Sequence, residues 1–400
     1  MKHPSKTQLV KGIDRIDRRD ALLFTALASA LALAGCGGGS DGGSNVAGVT
    51  SGGTGSFSTG AITGFGSIIV GAIRFDDSKA ISILDVDDDN TDLRGQLRLG
   101  MVVRVKGKLK VGSSADAETI EVRSELLGPV DSIDAGARTL LVLGQTVVVT
   151  PTTFIEESLS LPALRASELV EVHGFVNPAT NVMTATRIER KTLASVKAFK
   201  LQGHIRALTA ATFQIGDLVI SFANVVPTSL TLNNGLLVRV RMEPALSAGT
   251  RKAVKVRAVE LEVQDRAEAE VEGTITAFTS TSQFSVNGLP VNASGVTVPP
   301  GLKRGDLVEV EGALVNGVLV ARKVALEDES DPLKFELHGT VGSLNTTART
   351  FAVRGVTVDF SDAQFNNGTA TNLRDAVRVE VKGVVSANGN QLKATRISFE

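Results

Sequence analysis

From about residue 60 onward, apolar residues recur at every second position over short runs, and the runs are punctuated by glycine or small polar clusters. The stretch LKRGDLVEVEG (302–312) is typical: Val308 and Val310 fall on one face, Glu309 and Glu311 on the other. A period of two marks a half-buried strand, here with a short lead-in turn. Near-copies stand at 97–107 (LRLGMVVRVKG), 164–174 (LRASELVEVHG), 232–242 (LNNGLLVRVRM) and 373–383 (LRDAVRVEVKG). Self-similarity at this spacing means one structural unit written five times.

The units open at Gly60, Gly128, Gly203, Gly273 and Gly339, at intervals of 68, 75, 70 and 66 residues. Leu126, Leu201, Val271 and Leu337 stand two residues before the glycine, so a strand runs through it, and a sharp bend is expected there. A hairpin follows. FSVNGLPV (284–291) alternates on both sides of an Asn-Gly turn, FAVRGVTV (351–358) repeats it with Arg-Gly, and the second unit has LVLGQTVVV. After the LKRGDLVEVEG-type strand, a last strand such as LVARKVAL closes the unit. About five short strands in about 60 residues, with no helical period, predict an all-β chain of tandem small, partly closed antiparallel barrels of the OB type. Closure hides edges that such short strands would otherwise expose.

The N-terminus follows another pattern. Lys2, Lys6, Lys11, Arg15, Arg18 and Arg19 precede the apolar stretch ALLFTALASALALA (21–34), and Gly35 and Cys36 follow at once. A membrane-spanning helix needs roughly 20 apolar residues, so this shorter stretch fits a signal-peptide core. Leu33-Ala34-Gly35-Cys36 resembles the lipobox of bacterial lipoproteins, which implies cleavage before Cys36 and a lipid on its thiol. Arg18-Arg19 with Leu22-Leu23 also resembles a twin-arginine export signal. Gly37, rather than Asp, after the cysteine resembles the sorting pattern of outer-membrane lipoproteins, so the expected location is the cell envelope, on the outer membrane. The next stretch, GGGSDGGSNVAGVTSGGTGSFST (37–59), reads as a flexible coil with its ends roughly 25 Å apart. The expected organisation is a signal peptide (1–35), a Gly/Ser-rich tether (36–59) and barrels at 60–127, 128–202, 203–272, 273–338 and 339–400.

GAITGFGSIIV (60–70), the L-x-x-G-x-x-V-x-V-x-G stretches and A-x-x-I/V closings such as 394–397 resemble bacterial lipoproteins built of tandem copies of "domain of unknown function 5666". The resemblance covers almost everything from Gly60 on. It is clear in units one, four and five, looser in unit two and weakest in unit three, where Met242 replaces the final glycine. It implies fold and address, and no activity.

Composition narrows the chemistry. One cysteine in 400 residues excludes an intrachain disulfide framework and CxxC sites. The formal charge of -1, about -4 once residues 1–35 are removed, argues against a global polyanion partner. Trp and Tyr are absent. The outward pairs on the recurring strand (Arg104/Lys106, Glu171/His173, Arg239/Arg241, Glu309/Glu311, Glu380/Lys382) disagree in sign, so no nucleic-acid partner is expected.

Residues that recur across the units are Gly, Leu, Val, Ile and Phe, which serve turns and cores. His173, His204 and His338 occupy slots that vary between units and are expected at the surface. A GxSxG match at 38–42 has neither the preceding strand nor the following helix that a nucleophile elbow needs. No catalytic or cofactor-binding residue is therefore assigned, and a non-enzyme is expected. One cluster points to a ligand: Asp85, Asp87 and Asp89 in ILDVDDDNTDL alternate like the start of a calcium loop. Asn90 and Gln96 depart from that pattern, and a solvated acidic loop is the competing reading. The expected function is a lipid-anchored, non-catalytic binding or scaffolding array with an envelope protein or glycan as partner. The alternatives are a passive spacer, a row of five barrels reaching beyond ~100 Å, or a calcium-dependent adhesion protein.

Overall fold

The computed structural model describes residues 55–85, 91–110, 113–222, 225, 230–247, 249–259, 264–327 and 334–400. These form strands joined by turns and single 3₁₀ turns. Unit four shows the plan. Its opening strand Arg266–Ser280 pairs antiparallel with Gln283–Val286 and with the fourth strand Leu307–Val315. Gln283–Val286 turns back as Leu289–Asn292, which lies parallel to the closing strand Val318–Leu326. The closing strand returns antiparallel to the fourth. Counted within the unit, the ring runs 1-2-3-5-4-1. Units one, two and five close in the same order. In unit three the first and second strands meet through the isolated bridge Arg206–Gln214. One pairing in each ring, third strand with fifth, is parallel. Alternation alone does not reveal that.

The hairpins form where the pattern puts them. Phe284 opposes Val291 and Val286 opposes Leu289 around Asn287-Gly288, whose φ values of 49° and 85° are those of a type I′ turn. Leu143-Gly144 and Arg354-Gly355 turn in the same way. The glycine that ends the repeated motif sits at a bulge within the fourth strand: the register shifts at Gly107, Gly174, Gly312 and Gly383. A Cβ on Gly312 would stand 2.1 Å from Val320 O, so the partner backbone occupies the place of a side chain.

The lead-in turn clips each barrel shut. Gly100, Ser167, Gly235, Gly305 and Ala376 donate their backbone N–H to Ile62, Val130, Ile205, Ile275 and Val341, each two residues past the unit's opening glycine. Those same residues donate back to the start of the fourth strand.

The barrels do not form a row. Unit one's opening strand Gly55–Phe65 runs parallel to unit four's, from Ser56–Glu268 to Thr59–Val271, and parallel to unit five's at Gly64–Glu336 and Phe65–Leu337. Units two and three pair antiparallel at Lys200–Leu127 and Leu201–Leu126. Units one and five share one hydrophobic core, which Phe154 of unit two also enters, and units two and three share another.

The strand boundaries correct the expected tether. Gly55–Thr59, expected as its last residues, form the start of unit one's opening strand, and Phe57 is fully buried in the core of unit four. Glycine fits at position 55 because the Arg266 side chain takes the space beside it: a Cβ on Gly55 would meet that side chain at 2.5 Å. Ser58 Oγ donates to Val70 O at 3.0 Å. Units two to five likewise open before their glycines, at Leu126, Phe199, Arg266 and Phe335.

Candidate functional site at the barrel junction

The fourth strand turns every second side chain away from its own barrel. In units one to three, away from one barrel is toward the next. His173, expected at the surface, is 1% exposed because unit one covers it. Its Nδ1 lies 3.1 Å from Arg123 O and 3.4 Å from the Val102 N–H, while Nε2 has no partner. Burial pulls its pKa below the usual histidine value, against the pull of Glu171 and Glu189.

Around it lies a half-buried to buried ionic network. Lys200 Nζ is 2.7 Å from Asp85 and 3.5 Å from Glu171. Lys191 lies 2.9 Å from Glu171 and 2.7 Å from Glu189, and Arg187 donates to Glu189 at 2.5 Å. Burial raises the Glu189 pKa, but Arg187 and Lys191 outweigh it and hold the carboxyl at about 2. Glu171 is also held well below the usual carboxylate range, where Lys200 and its neighbours overcome burial.

On the unit-one side, Arg104 and Arg123 share Glu121, at 3.4 and 3.1 Å. Arg239 of unit three lies 3.4 Å from Glu125 and donates to Ser124 O at 3.0 Å. Burial first, and then Arg123, lower the Arg104 pKa to about 9. Next to these groups is a cavity of about 60 Å³ lined by residues of units one to four, among them Arg104, Arg123, Glu125, His204, Arg239 and Thr274. A smaller cavity of about 10 Å³ also touches the Arg239–Glu125 pair and is lined by Lys200, Arg241, Lys255 and Arg257. Here like charges face each other across strands: Arg239 opposes Arg257, and Arg241 opposes both Lys255 and Lys200. Such pairs destabilise a sheet unless anions compensate them.

A second cluster lies on unit five. Ligand atoms of Glu336, His338 and Glu380 lie within 4.8 Å of one another, a spacing that suits a metal ion. Side-chain cations already stand there: Arg74 is 2.6 Å from Glu336, and Lys382 lies 3.5 Å from Glu336 and 3.1 Å from Glu380. His338 completes that network through 2.6 Å contacts to Glu336 and Glu400.

Of the residues singled out from sequence, Asp85 lies on the strand Ser82–Asp85 with its carboxylate on Lys200, whereas Asp87, Asp89 and Cys36 lie outside the described residues. Sequence reasoning missed Arg104, Arg123, Glu125 and Arg239 as a group. One signal was readable: in unit three the facing strands LVRVR and VKVR carry cations in matching positions, with few acids near them in sequence.

The family model described as "Domain of unknown function (DUF5666)" matches residues 128–189, 272–325 and 338–398. The matched segments are units two, four and five. Unit one, which the residues suggested as a clear copy, is not among them, although its barrel closes in the same order. No curated protein matches the chain. Among solved structures, "drosophila Unr CSD456" aligns over 52% of this chain and 98% of its own at 16% identity, with a TM-score of 0.14.

Proposed function

We propose that this chain, which carries tandem units of the domain of unknown function 5666, is a lipid-anchored, non-catalytic binding body of the cell envelope. The lipid is on Cys36, and the address is the outer membrane. One observation carries the binding part: residues of four barrels, apolar and charged, line one cavity, while no reactive residue recurs from barrel to barrel. An array of independent binding modules would repeat its site. A site assembled between modules instead needs them docked, and the strand pairings between units one and four and between two and three supply that. The groups at the junction are guanidiniums, ammoniums and carboxylates engaged in ion pairs, which suits recognition better than bond-making. The lipobox and the glycine-rich stretch support the anchored reading, and the mixed charges of the outward faces support a partner other than nucleic acid.

Radiolabelled palmitate fed to expressing cells should enter the wild-type chain and spare Cys36→Ser; equal labelling overturns the anchor. Small-angle scattering separates the docked body from the spacer. A compact body of this size has a radius of gyration of about 20 Å, and a rod-like profile would return the spacer reading.

A further inference from the structure

Unit four meets unit one through a row of carboxylates. Glu270 and Glu272 on the opening strand stand directly opposite Glu311 and Glu309 on the fourth, and Ser58 of unit one lies beside Glu270 in the parallel pairing. Like charges so opposed destabilise a sheet unless they are compensated. Most of the row is: Lys323 lies 3.5 Å from Glu309 and also contacts Glu311, and Glu272 accepts from the Ala61 N–H at 3.1 Å. Glu270 differs. It is 3% exposed, and among the described residues its donor is one backbone N–H, that of Ala72, 2.9 and 2.8 Å from its two oxygens. This N–H belongs to the turn between the unit-one strands Ile68–Val70 and Ile73–Asp76, and the turn is closed over the carboxyl: a Cβ on Gly71 would stand 2.1 Å from Oε1.

Charged groups surround Glu270 on unit four's side. Its own strand brings Arg266, against Gly55, and Glu268, paired with Arg322, besides Glu272. The fourth strand brings Glu309 and Glu311, and the closing strand Lys323. Unit one's turn adds no charge. Its next cation, Arg74, is held by Glu336 of unit five, and Arg104 and Lys106 oppose Thr59 and Phe57, on the face turned away from Ser58. Burial first, and then Glu309, hold the Glu270 carboxyl well above the usual carboxylate range, outweighing the Ala72 hydrogen bond that favours its charge. We propose that Glu270 is a proton-operated latch: its neutral carboxyl seats the Gly71–Ala72 turn and keeps unit one docked on unit four, and its ionisation loosens that contact. The neutral group still accepts from Ala72 through its carbonyl oxygen. The ionised group must stay buried with one N–H for its charge, whereas undocking returns it to water. Docking is therefore strongest below the ordinary value of 4.5 and weakens as pH rises from there through the higher docked value. Units one and four both line the junction cavity, so the latch also sets how firmly that cavity is closed. The inference concerns the contact itself and stands apart from the binding reading.

Amide exchange on the full chain between pH 5 and 8, expressed as protection relative to the unstructured rate at each pH, tests it. In the wild type the amides of residues 56–59 and of Ala72 should lose at least tenfold in protection across that range. Glu270→Gln keeps an oxygen for the Ala72 N–H and cannot ionise, so it should hold its protection and exceed the wild type at pH 8. Glu311→Gln leaves the latch in place and removes one repelling charge, so its loss should be smaller than that of the wild type. His338 also weakens with rising pH, but both variants keep it, and their differences from the wild type belong to Glu270. Circular dichroism checks that the variants fold, and Glu311→Gln carries the test should Glu270→Gln fail to. No loss in the wild type, or a loss that Glu270→Gln repeats in full, overturns the proposal, as does an undiminished loss in Glu311→Gln.

Discussion

The fourth strands of units two and five have nearly the same sequence: LVEVHGFVN in Leu169–Asn177 and RVEVKGVV in Arg378–Val385. Both bury their valines, both bulge at the glycine, and both present a glutamate followed by a cationic or titratable residue on the outer face. In unit two that face lies against neighbouring barrels, so His173 is fully buried and Glu171 nearly so. In unit five the corresponding Glu380 and Lys382 join a half-exposed network at the rim. Alternation fixes which side chains enter a strand's own barrel. Whether the other side is surface depends on docking between barrels, which alternation does not encode.

Truncating the outward glutamate should separate the two faces most clearly. Glu171→Ala removes a carboxylate that Lys191 and Lys200 share where little water can replace it. The expected loss is roughly 3 kcal/mol, at the low end for a broken buried pair because each lysine keeps a second carboxylate. Glu380→Ala should cost less than about 1 kcal/mol, since Lys382 is 44% exposed and solvent compensates it. Thermal unfolding of the two variants checks this, together with amide exchange on each fourth strand. Equal losses would mean that the junction is wet.

The bulge glycine should show no such difference. A Cβ on Gly174 would stand 2.1 Å from Thr184 O, and one on Gly383 2.4 Å from Lys393 O. Gly174→Ala and Gly383→Ala are each expected to cost about 2 kcal/mol through backbone displacement, measured as matched shifts in unfolding midpoint. Unit three shows how the requirement can be met without glycine: Met242 is fully buried, and the register slips on both sides of it.

These cases mark how much the sequence could tell. Alternation and the Asn-Gly turn are local signals, and the strands and hairpins stand where those signals put them, whereas the bulges at the motif's last glycine were not among the expectations. The parallel third-to-fifth pairing and the burial of Phe57 in a barrel more than 200 residues away depend on contacts between distant segments. Residues 55–59 depart from the expected tether for a physical reason. The absence of a side chain marks flexible coil, and it also leaves room for a neighbour's side chain, as Gly55 does for Arg266. The cavity was illegible because its lining comes from four units, each contributing a few residues that look like ordinary surface polarity.

The two histidines should titrate in opposite directions. Burial works against a charged His338, but its hydrogen bonds to Glu336 and Glu400 prevail and raise its pKa above 6.5. Its stabilising contribution is complete below the unfolded value and fades as pH rises through the folded one. His173 is lowered by burial, so its contribution is present above 6.5 and is lost as pH falls toward its folded value. Imidazole NMR signals should show His338 titrating above 6.5 and His173 below it or not at all. His338→Gln should flatten the decline of stability on the alkaline side of 6.5, and a decline unchanged in that variant would remove His338 as its source.

The smallest effect concerns the lead-in turn, which is exposed in both units and should therefore respond alike. Ser167 in unit two and Ala376 in unit five adopt φ values of 72° and 68°, where Gly100, Gly235 and Gly305 stand in the other units. Their conformation is fixed by the clip: Ser167 and Ala376 each donate at 2.8 Å to the opening strand, at Val130 and Val341. A side chain in this left-handed region costs about 1–2 kcal/mol. Glycine relieves that strain but brings extra freedom to the unfolded chain, which returns about 0.5–1 kcal/mol. Neither side chain is buried, so its removal sacrifices no packing. Ser167→Gly and Ala376→Gly should each stabilise the chain by roughly 0.5–1 kcal/mol, read as small upward shifts in Tm. A loss in both would mean that the side chains contribute to the turn. A gain in unit five alone would show that the junction, and not the turn, holds Ser167 in place.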